Sequence, residues 1–210
     1  MRTMIYALVI GGCLAIAALL LAVEAVRIYN RLVKLDKHCD NAFSQIEVQL
    51  KRRYDLTPNL VETVKGYLNH EKETLERVIA ARNQAASGLA ALGKSAGKGI
   101  DAAALTQFAG AEGALTSALG KMSFVMEAYP DLKANESVAS LTEELRTTEN
   151  KISFARQSFN DWVTAFNLFR ESFPAVMLAN SFGFTDERGL LEFEDAEAIA
   201  EAPKVDLVGA

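Results

Sequence analysis

The stretch Val138–Phe173, VASLTEELRTTENKISFARQSFNDWVTAFNLFRESF, decides the fold. Val138, Leu141, Leu145, Thr148, Ile152, Ala155, Phe159, Trp162, Phe166, Phe169 and Phe173 alternate strictly at spacings of three and four over five heptads. This is the period of one face of an α-helix, and a face so consistently apolar must be covered by other helices. Pro174 closes the run, since its ring removes a donor and clashes with the preceding turn.

Working back along the chain, Leu105, Phe108, Leu115, Leu119, Met122, Met126 and Tyr129 share one side of a predicted third helix, with Asp101 as its cap. Pro130 ends it by forcing Tyr129 out of helical geometry. The second helix carries Val61, Val64, Leu68, Leu75, Val78 and Arg82 as its seam and fades at Ser87-Gly88. Gly88–Gly99, GLAALGKSAGKG, has four glycines and few large side chains, which predicts a flexible connection. The first stripe is Leu32, Leu35, Cys39, Phe43, Ile46, Leu50 and Tyr54; it stops at Thr57-Pro58, where Thr57 can cap the next helix and Pro58 suits its first position. No segment alternates with period two for long enough to argue a sheet. Two of the three connections are short, so the expected architecture is all-α, an antiparallel up-down four-helix bundle in which each stripe hides against the others.

Half of the residues are hydrophobic although 23% are charged, so the apolar residues must be concentrated somewhere. They gather in MIYALVIGGCLAIAALLLAV, Met4 to Val23, inside an uncharged run that begins at Thr3. At about 1.5 Å per residue a helix of this length crosses a hydrocarbon core of roughly 30 Å. It is apolar on every side, unlike the amphipathic helices that follow. The run is too long for a cleaved signal peptide, and the site near Val23 to Ala25 carries Glu24. Ile10-Gly11-Gly12-Cys13 looks like a lipoprotein box, but hydrophobicity continues beyond Cys13. An uncleaved anchor is expected, with span ends at Met4 and Val23. Neither Pro nor Gly interrupts Leu14 to Thr57, so the anchor should continue into the first bundle helix.

Arg2 stands alone before the span, whereas Arg27, Arg31, Lys34 and Lys37 follow it. Basic residues resist translocation, which places the N-terminus outside and the body in the cytoplasm, at the inner cell membrane. The expected organisation is residues 1–25 as external N-terminus and anchor, 26–175 as bundle and 176–210 as an irregular acidic tail. Within 186–206 there are eight acids against Arg188 and Lys204; this tail should be loosely attached and partly disordered, with Phe182, Phe184, Leu190, Leu191 and Phe193 available to pin it.

Several blocks are shared with one family. Gln45–Glu62, QIEVQLKRRYDLTPNLVE, is followed by Val64-Lys65-Gly66-Tyr67 and His70-Glu71; later come Glu127–Asn135, EAYPDLKAN, then Thr148–Ile152, Phe154-Ala155-Arg156 and Phe182-Gly183-Phe184. Together they are similar to the signature of the bacterial LemA family. The resemblance implies a membrane-tethered antiparallel four-helix domain with a short external N-terminus and a cytoplasmic body, and it supplies no biochemical activity. Where relatives often show Tyr-Asn, this chain has Phe159-Asn160 and Phe166-Asn167, which removes two hydroxyls.

Clustered charges are the remaining candidates for a site. Glu149, Asn150, Lys151 and Arg156 fall on the last helix, and Arg52, Arg53 and Asp55 at the end of the first. Such clusters can form an acid–base or binding site. Arg53, however, extends the seam of Leu32, Cys39 and Ile46, which favours a partly buried arginine that fixes bundle register through an ion pair. In an up-down bundle Arg156 lies level with the start of the first helix, so Asp36 or Asp40 is its expected partner, and Arg53 is too far along to join them. His38 and His70 are too distant from each other to hold zinc, the two cysteines cannot bridge along one rigid helix, and no nucleophile elbow accompanies the serines. A net charge of -5 gives no basic excess for nucleic acid.

No catalytic residue, cofactor, metal or small-molecule ligand is therefore expected, and no protein partner is identified. The expected partner is the bilayer; a second copy of the chain is a candidate, for which Gly11, Ala15, Ala18 and Ala22 offer a close-packing face, with chance in an alanine-rich segment as the rival reading. The leading expectation is a non-enzymatic, membrane-tethered scaffold. Its rivals are an accessory regulatory subunit of a membrane-bound enzyme or protease, and an enzyme with an unrecognised site on the last helix.

Overall fold

The computed structural model describes residues 2–68, 70–95 and 102–192. It is all-α, with no strand among the described residues. Helix α1 is Arg2–Lys65, α2 Lys72–Ser95, α3 Ala102–Met126, α4 Pro130–Lys133 and α5 Glu136–Glu171; 3-10 turns follow at Ala175–Met177 and Asn180–Phe182. Two compact units result, one of Met1–Cys39 with Trp162–Glu187, the other of Asp40–Asp161 with Arg188–Ala210.

In the larger unit the predicted stripes face inward. Phe43, Ile46, Leu50 and Tyr54 of α1, Leu75 and Val78 of α2, Leu105, Phe108, Leu115 and Met122 of α3, and Val138, Ile152 and Phe159 of α5 are all buried. Rising numbers on α1 meet falling numbers on α5: Phe43 with Phe159 and Arg52 with Glu144, and Tyr67 just past α1 meets Asn135 just ahead of α5. The two helices therefore run in opposite directions. Thr74, Arg77 and Ala81 of α2 likewise share a cleft with Lys121, Ala118 and Ala114 of α3. One end of this unit is closed by Leu60, Val61, Val64, Leu68, Leu75, Val78, Met122, Leu132 and Val138. Asn135 starts α5, its Oδ1 accepting from Ser137 N at 3.0 Å and Val138 N at 3.2 Å, the orphan donors a capping side chain serves.

Two sequence expectations need correction. The turn predicted at Thr57-Pro58 is absent: α1 continues with Pro58 inside it, and the chain reverses at residues 66–71. Proline cannot donate to the carbonyl four residues earlier, that of Tyr54. Arg82 Nε of α2 donates to that oxygen instead, at 2.8 Å, so the helix tolerates the break. The flexible connection predicted from Gly88 starts too early, because α2 is helical to Ser95 with Leu89 and Leu92 buried. Gly88 serves close packing: a Cβ there would lie 3.3 Å from Phe108 Cδ2 of α3. The Asp101 cap and residues 96–100 lie outside the described residues.

In the smaller unit α1 starts with the apolar segment, whose large side chains from Met4 to Leu21 are exposed throughout. Beyond it Ile28, Leu32, Leu35 and Cys39 are buried. His38 stacks on Trp162 of α5 with ring centroids 4.2 Å apart. Phe182 and Phe184 pack against Tyr29 at 5.3 and 6.5 Å, and Phe184 meets Phe166 at 5.9 Å. Arg170 adds a hydrogen bond to the Thr185 carbonyl at 2.9 Å. Phe182 and Phe184 thus pin the start of the tail, while Phe193 and the rest of the acidic stretch lie outside the described residues. In the larger unit its continuation is fixed too: Asn160 and Leu191 exchange hydrogen bonds of 3.1 and 2.9 Å, and Leu191 is fully buried.

Candidate functional site

The strongest concentration of buried charge is in the larger unit. Arg53 is 1% exposed and Glu112 0%. The Arg53 guanidinium donates through Nη2 to Glu112 Oε2 and through Nη1 to Glu149 Oε2, with Thr116 Oγ1 3.4 Å from the same nitrogen. The Tyr54 hydroxyl donates to Glu112 Oε1. Both oxygens of Glu112 are thus engaged, and three helices, α1, α3 and α5, meet at one cation.

Burial pushes the Glu112 carboxyl above its ordinary range, against the pull of Arg53 and the Tyr54 hydroxyl. Burial also opposes the charge on Arg53, but Glu112 and Glu149 outweigh it and hold the guanidinium's proton more tightly than usual. Tyr54 is raised as well, first by burial and then by the negative Glu112 beside it. Taking charges out of water costs several kcal/mol per ion, roughly, so the site is tolerable because both terminal nitrogens of Arg53 meet a carboxylate, while its buried Nε has no hydrogen-bond partner. Its evident chemical capacity is to fix helix register.

Three clefts among the described residues lie in the larger unit. One of about 700 Å³ lies between α1 and α2, with Val61, Leu68, Leu75 and Ile79 in its lining and Glu62, Lys65, Lys72 and Glu76 around them. Others of about 280 and 570 Å³ lie between α2 and α3 and beside Arg82. None of the three is lined by Arg53, Glu112 or Glu149.

Of the residues picked from sequence, Arg53 and Glu149 come together, and Arg53 is fully rather than partly buried. Asp40 accepts a hydrogen bond from Arg188 Nη2 at 2.9 Å, a partner that sequence reasoning did not consider. Asp36 lies 3.8 Å from Lys37, and Arg156 is half-buried on α5. Glu112 was missed although its signal was present: the third stripe jumps seven residues from Phe108 to Leu115, and the position between is Glu112. Among the described residues no three His, Cys, Asp or Glu side chains gather as metal ligands.

The stretch that holds this cluster also carries the relationship to known proteins, since residues 42–207 match the LemA family. The chain belongs to the LemA family. Among its LemA-family relatives, Protein LemA of Metamycoplasma hominis is 26% identical over 138 residues, covering 66% of this chain and 57% of that protein. Magnetosome protein MamQ of Magnetospirillum gryphiswaldense is 25% identical over 168 residues, covering 74% and 62%. Magnetosome protein MamQ 2 of Paramagnetospirillum magneticum is 25% identical over 195 residues, covering 87% and 71%. The match therefore spans less than two thirds of the length of the first two relatives.

Proposed function

We propose that this LemA-family chain is a membrane-tethered helical scaffold without catalytic activity, whose body is an antiparallel up-down four-helix bundle that engages other proteins or copies of itself. The observation that carries the reading is α1. It is one helix, Arg2–Lys65, that starts as an exposed all-apolar segment and continues as an amphipathic helix with a buried stripe. An apolar segment left uncovered by its own chain is matched to lipid rather than water. Membership of the LemA family and relatives named as magnetosome proteins accord with a membrane-associated helical protein. The pairing of Arg53 with Glu112 and Glu149 supports a structural rather than a chemical use of the buried charge.

In this reading Met4–Val23 is the single span, the basic residues Arg27, Arg31, Lys34 and Lys37 keep the body in the cytoplasm, and the N-terminus is outside. C-terminal fusions test the orientation. A fused green fluorescent protein should fluoresce and fused alkaline phosphatase should be inactive; the opposite pair of results reverses it. Affinity purification of the full chain from native membranes tests the role. Recovery of a single stoichiometric enzyme or protease would replace the scaffold with an accessory regulatory subunit.

A further inference from the structure

The end of α5 and the turns after it leave an apolar surface that the scaffold reading does not use. Between Glu171 and Asp186 the chain carries no charge. In Phe173–Ala179, FPAVMLA, the small residues Ala175 and Ala179 are buried and Leu178 is half-buried, while three large ones face out: Phe173 is 80% exposed, Met177 69% and Val176 48%. Leu168, on α5 just before, is 67% exposed. A water-facing turn has the opposite arrangement, and apolar groups gathered in this way mark a contact surface.

The level of this surface along α1 follows from the ring contacts. Trp162 of α5 stacks on His38, and Phe166, one turn further on, meets Phe184, which meets Tyr29. Here α5 therefore runs down α1 towards the apolar segment. From Trp162 to Glu171 and from His38 to Tyr29 the helices advance by the same nine residues, about 14 Å. Glu171 thus ends level with Tyr29, where Phe182 returns. The turn that carries Phe173, Val176 and Met177 lies between these points, at the end of α5 that faces the span. Tyr29 is six residues, about 9 Å, beyond Val23. A headgroup layer is roughly 5 to 8 Å deep, and interfacial segments bury their apolar faces about 5 to 10 Å into that boundary. On α1 itself Val26 and Tyr29 are 59% and 44% exposed, which continues the apolar surface down to the span. Tyrosine favours that depth, its ring in the boundary and its hydroxyl in water.

We propose that the Phe173–Met177 turn is a second membrane contact, which inserts Phe173, Val176 and Met177 into the headgroup region of the leaflet that α1 leaves. The partner is the lipid surface itself. The inference rests on the reading of Met4–Val23 as a span, and the two can fail separately.

The test uses the full chain with Cys13→Ala and Cys39→Ala, one new cysteine at Met177→Cys or Ala15→Cys, and an environment-sensitive fluorophore on that thiol. The protein is reconstituted in phosphatidylcholine–phosphatidylglycerol vesicles with nitroxide at the headgroup or deep in the acyl chain. The expected result is deep-nitroxide quenching at position 15 and, at position 177, blue-shifted emission, headgroup-nitroxide quenching and several-fold protection from aqueous iodide. Adding Phe173→Asp should remove most of the position 177 quenching while helicity is unchanged. A quenched position 15 with a lipid-insensitive, iodide-accessible position 177 overturns the proposal and leaves the span. Iodide protection at position 177 without lipid quenching overturns it in favour of a protein cover. No lipid quenching at position 15 removes the span and this contact together.

Discussion

Arg82 Nε donates a hydrogen bond of 2.8 Å to the backbone carbonyl of Tyr54, the oxygen that Pro58 leaves without its helical donor. A side chain of α2 thereby repairs a defect in α1. Leaving a buried acceptor unpaired costs about 1 to 3 kcal/mol, so Arg82→Met should destabilise the chain by that amount in chemical unfolding followed by circular dichroism. Pro58→Ala restores an N–H for the same oxygen. In that background the cost of Arg82→Met should fall by an interaction energy on the order of 1 kcal/mol. Equal costs in the two backgrounds would show that Arg82 acts only through its packing and charge.

This contact also marks where the sequence stopped being legible. The stripes from Leu32 to Tyr54 and from Val138 to Phe166 could be read because each is a local, periodic property of one helix. The Thr57-Pro58 signal is local too, and it points to a turn; what overrides it is Arg82, remote in the chain. The helical path through Gly88 depends on Phe108 approaching from α3, which no window around Gly88 contains. Arg53 was legible as an arginine on an apolar seam. Its partner Glu112 was hidden, since a carboxylate on a stripe looks like a gap until the cation opposite is known. Asp40 and Arg188 are 148 residues apart, and only the folded chain pairs them.

The Arg53–Glu112 pair makes a prediction about asymmetry. Removing one member strands the other charge in the core, so Arg53→Met and Glu112→Leu should each cost about 3 to 5 kcal/mol. Removing both together should cost clearly less than either alone, because an apolar pair of similar volume has no desolvation to offset. Glu149, whose side chain is 41% exposed, can turn to water, so Glu149→Gln should be the mildest change. Urea midpoints for the four variants check the order. A double variant as unstable as the sum of the singles would remove the ion-pair explanation.

Tyr54 makes the alkaline side of the stability curve informative. Its hydroxyl is raised above the ordinary 10.0, first by burial and then by Glu112, so the unfolded chain ionises before the folded one. A group raised in this way contributes stability that is fully present below pH 10 and lost as pH climbs towards the folded value. The loss should approach about 1.4 kcal/mol per pH unit from this one group. Tyr54→Phe should flatten that limb. Glu112 has the same sign at lower pH: its contribution is complete below its ordinary 4.5 and fades as pH rises through the folded value. Glu112→Gln should reduce the pH dependence there. Melting curves across both ranges decide the matter, and variants with the parent slope would contradict the assigned shifts.

Two kinds of helical glycine should respond oppositely to alanine. Gly110 and Gly120 of α3 have open space where a Cβ would go, so Gly→Ala gains the helix propensity of alanine, about 1 kcal/mol at each position. At Gly88 the same gain competes with a new methyl 3.3 Å from Phe108 Cδ2. Phe108 is 1% exposed and hemmed in, so its ring cannot retreat without disturbing the core. Overpacking costs about 1 to 3 kcal/mol, which exceeds the propensity gain. Gly88→Ala should therefore lower the melting temperature while Gly120→Ala raises it. With Phe108→Leu in place the crowding disappears, and adding Gly88→Ala should then stabilise the chain relative to Phe108→Leu alone. If Gly88→Ala were already stabilising beside the native Phe108, the close approach of α2 and α3 could not be the reason for a glycine there.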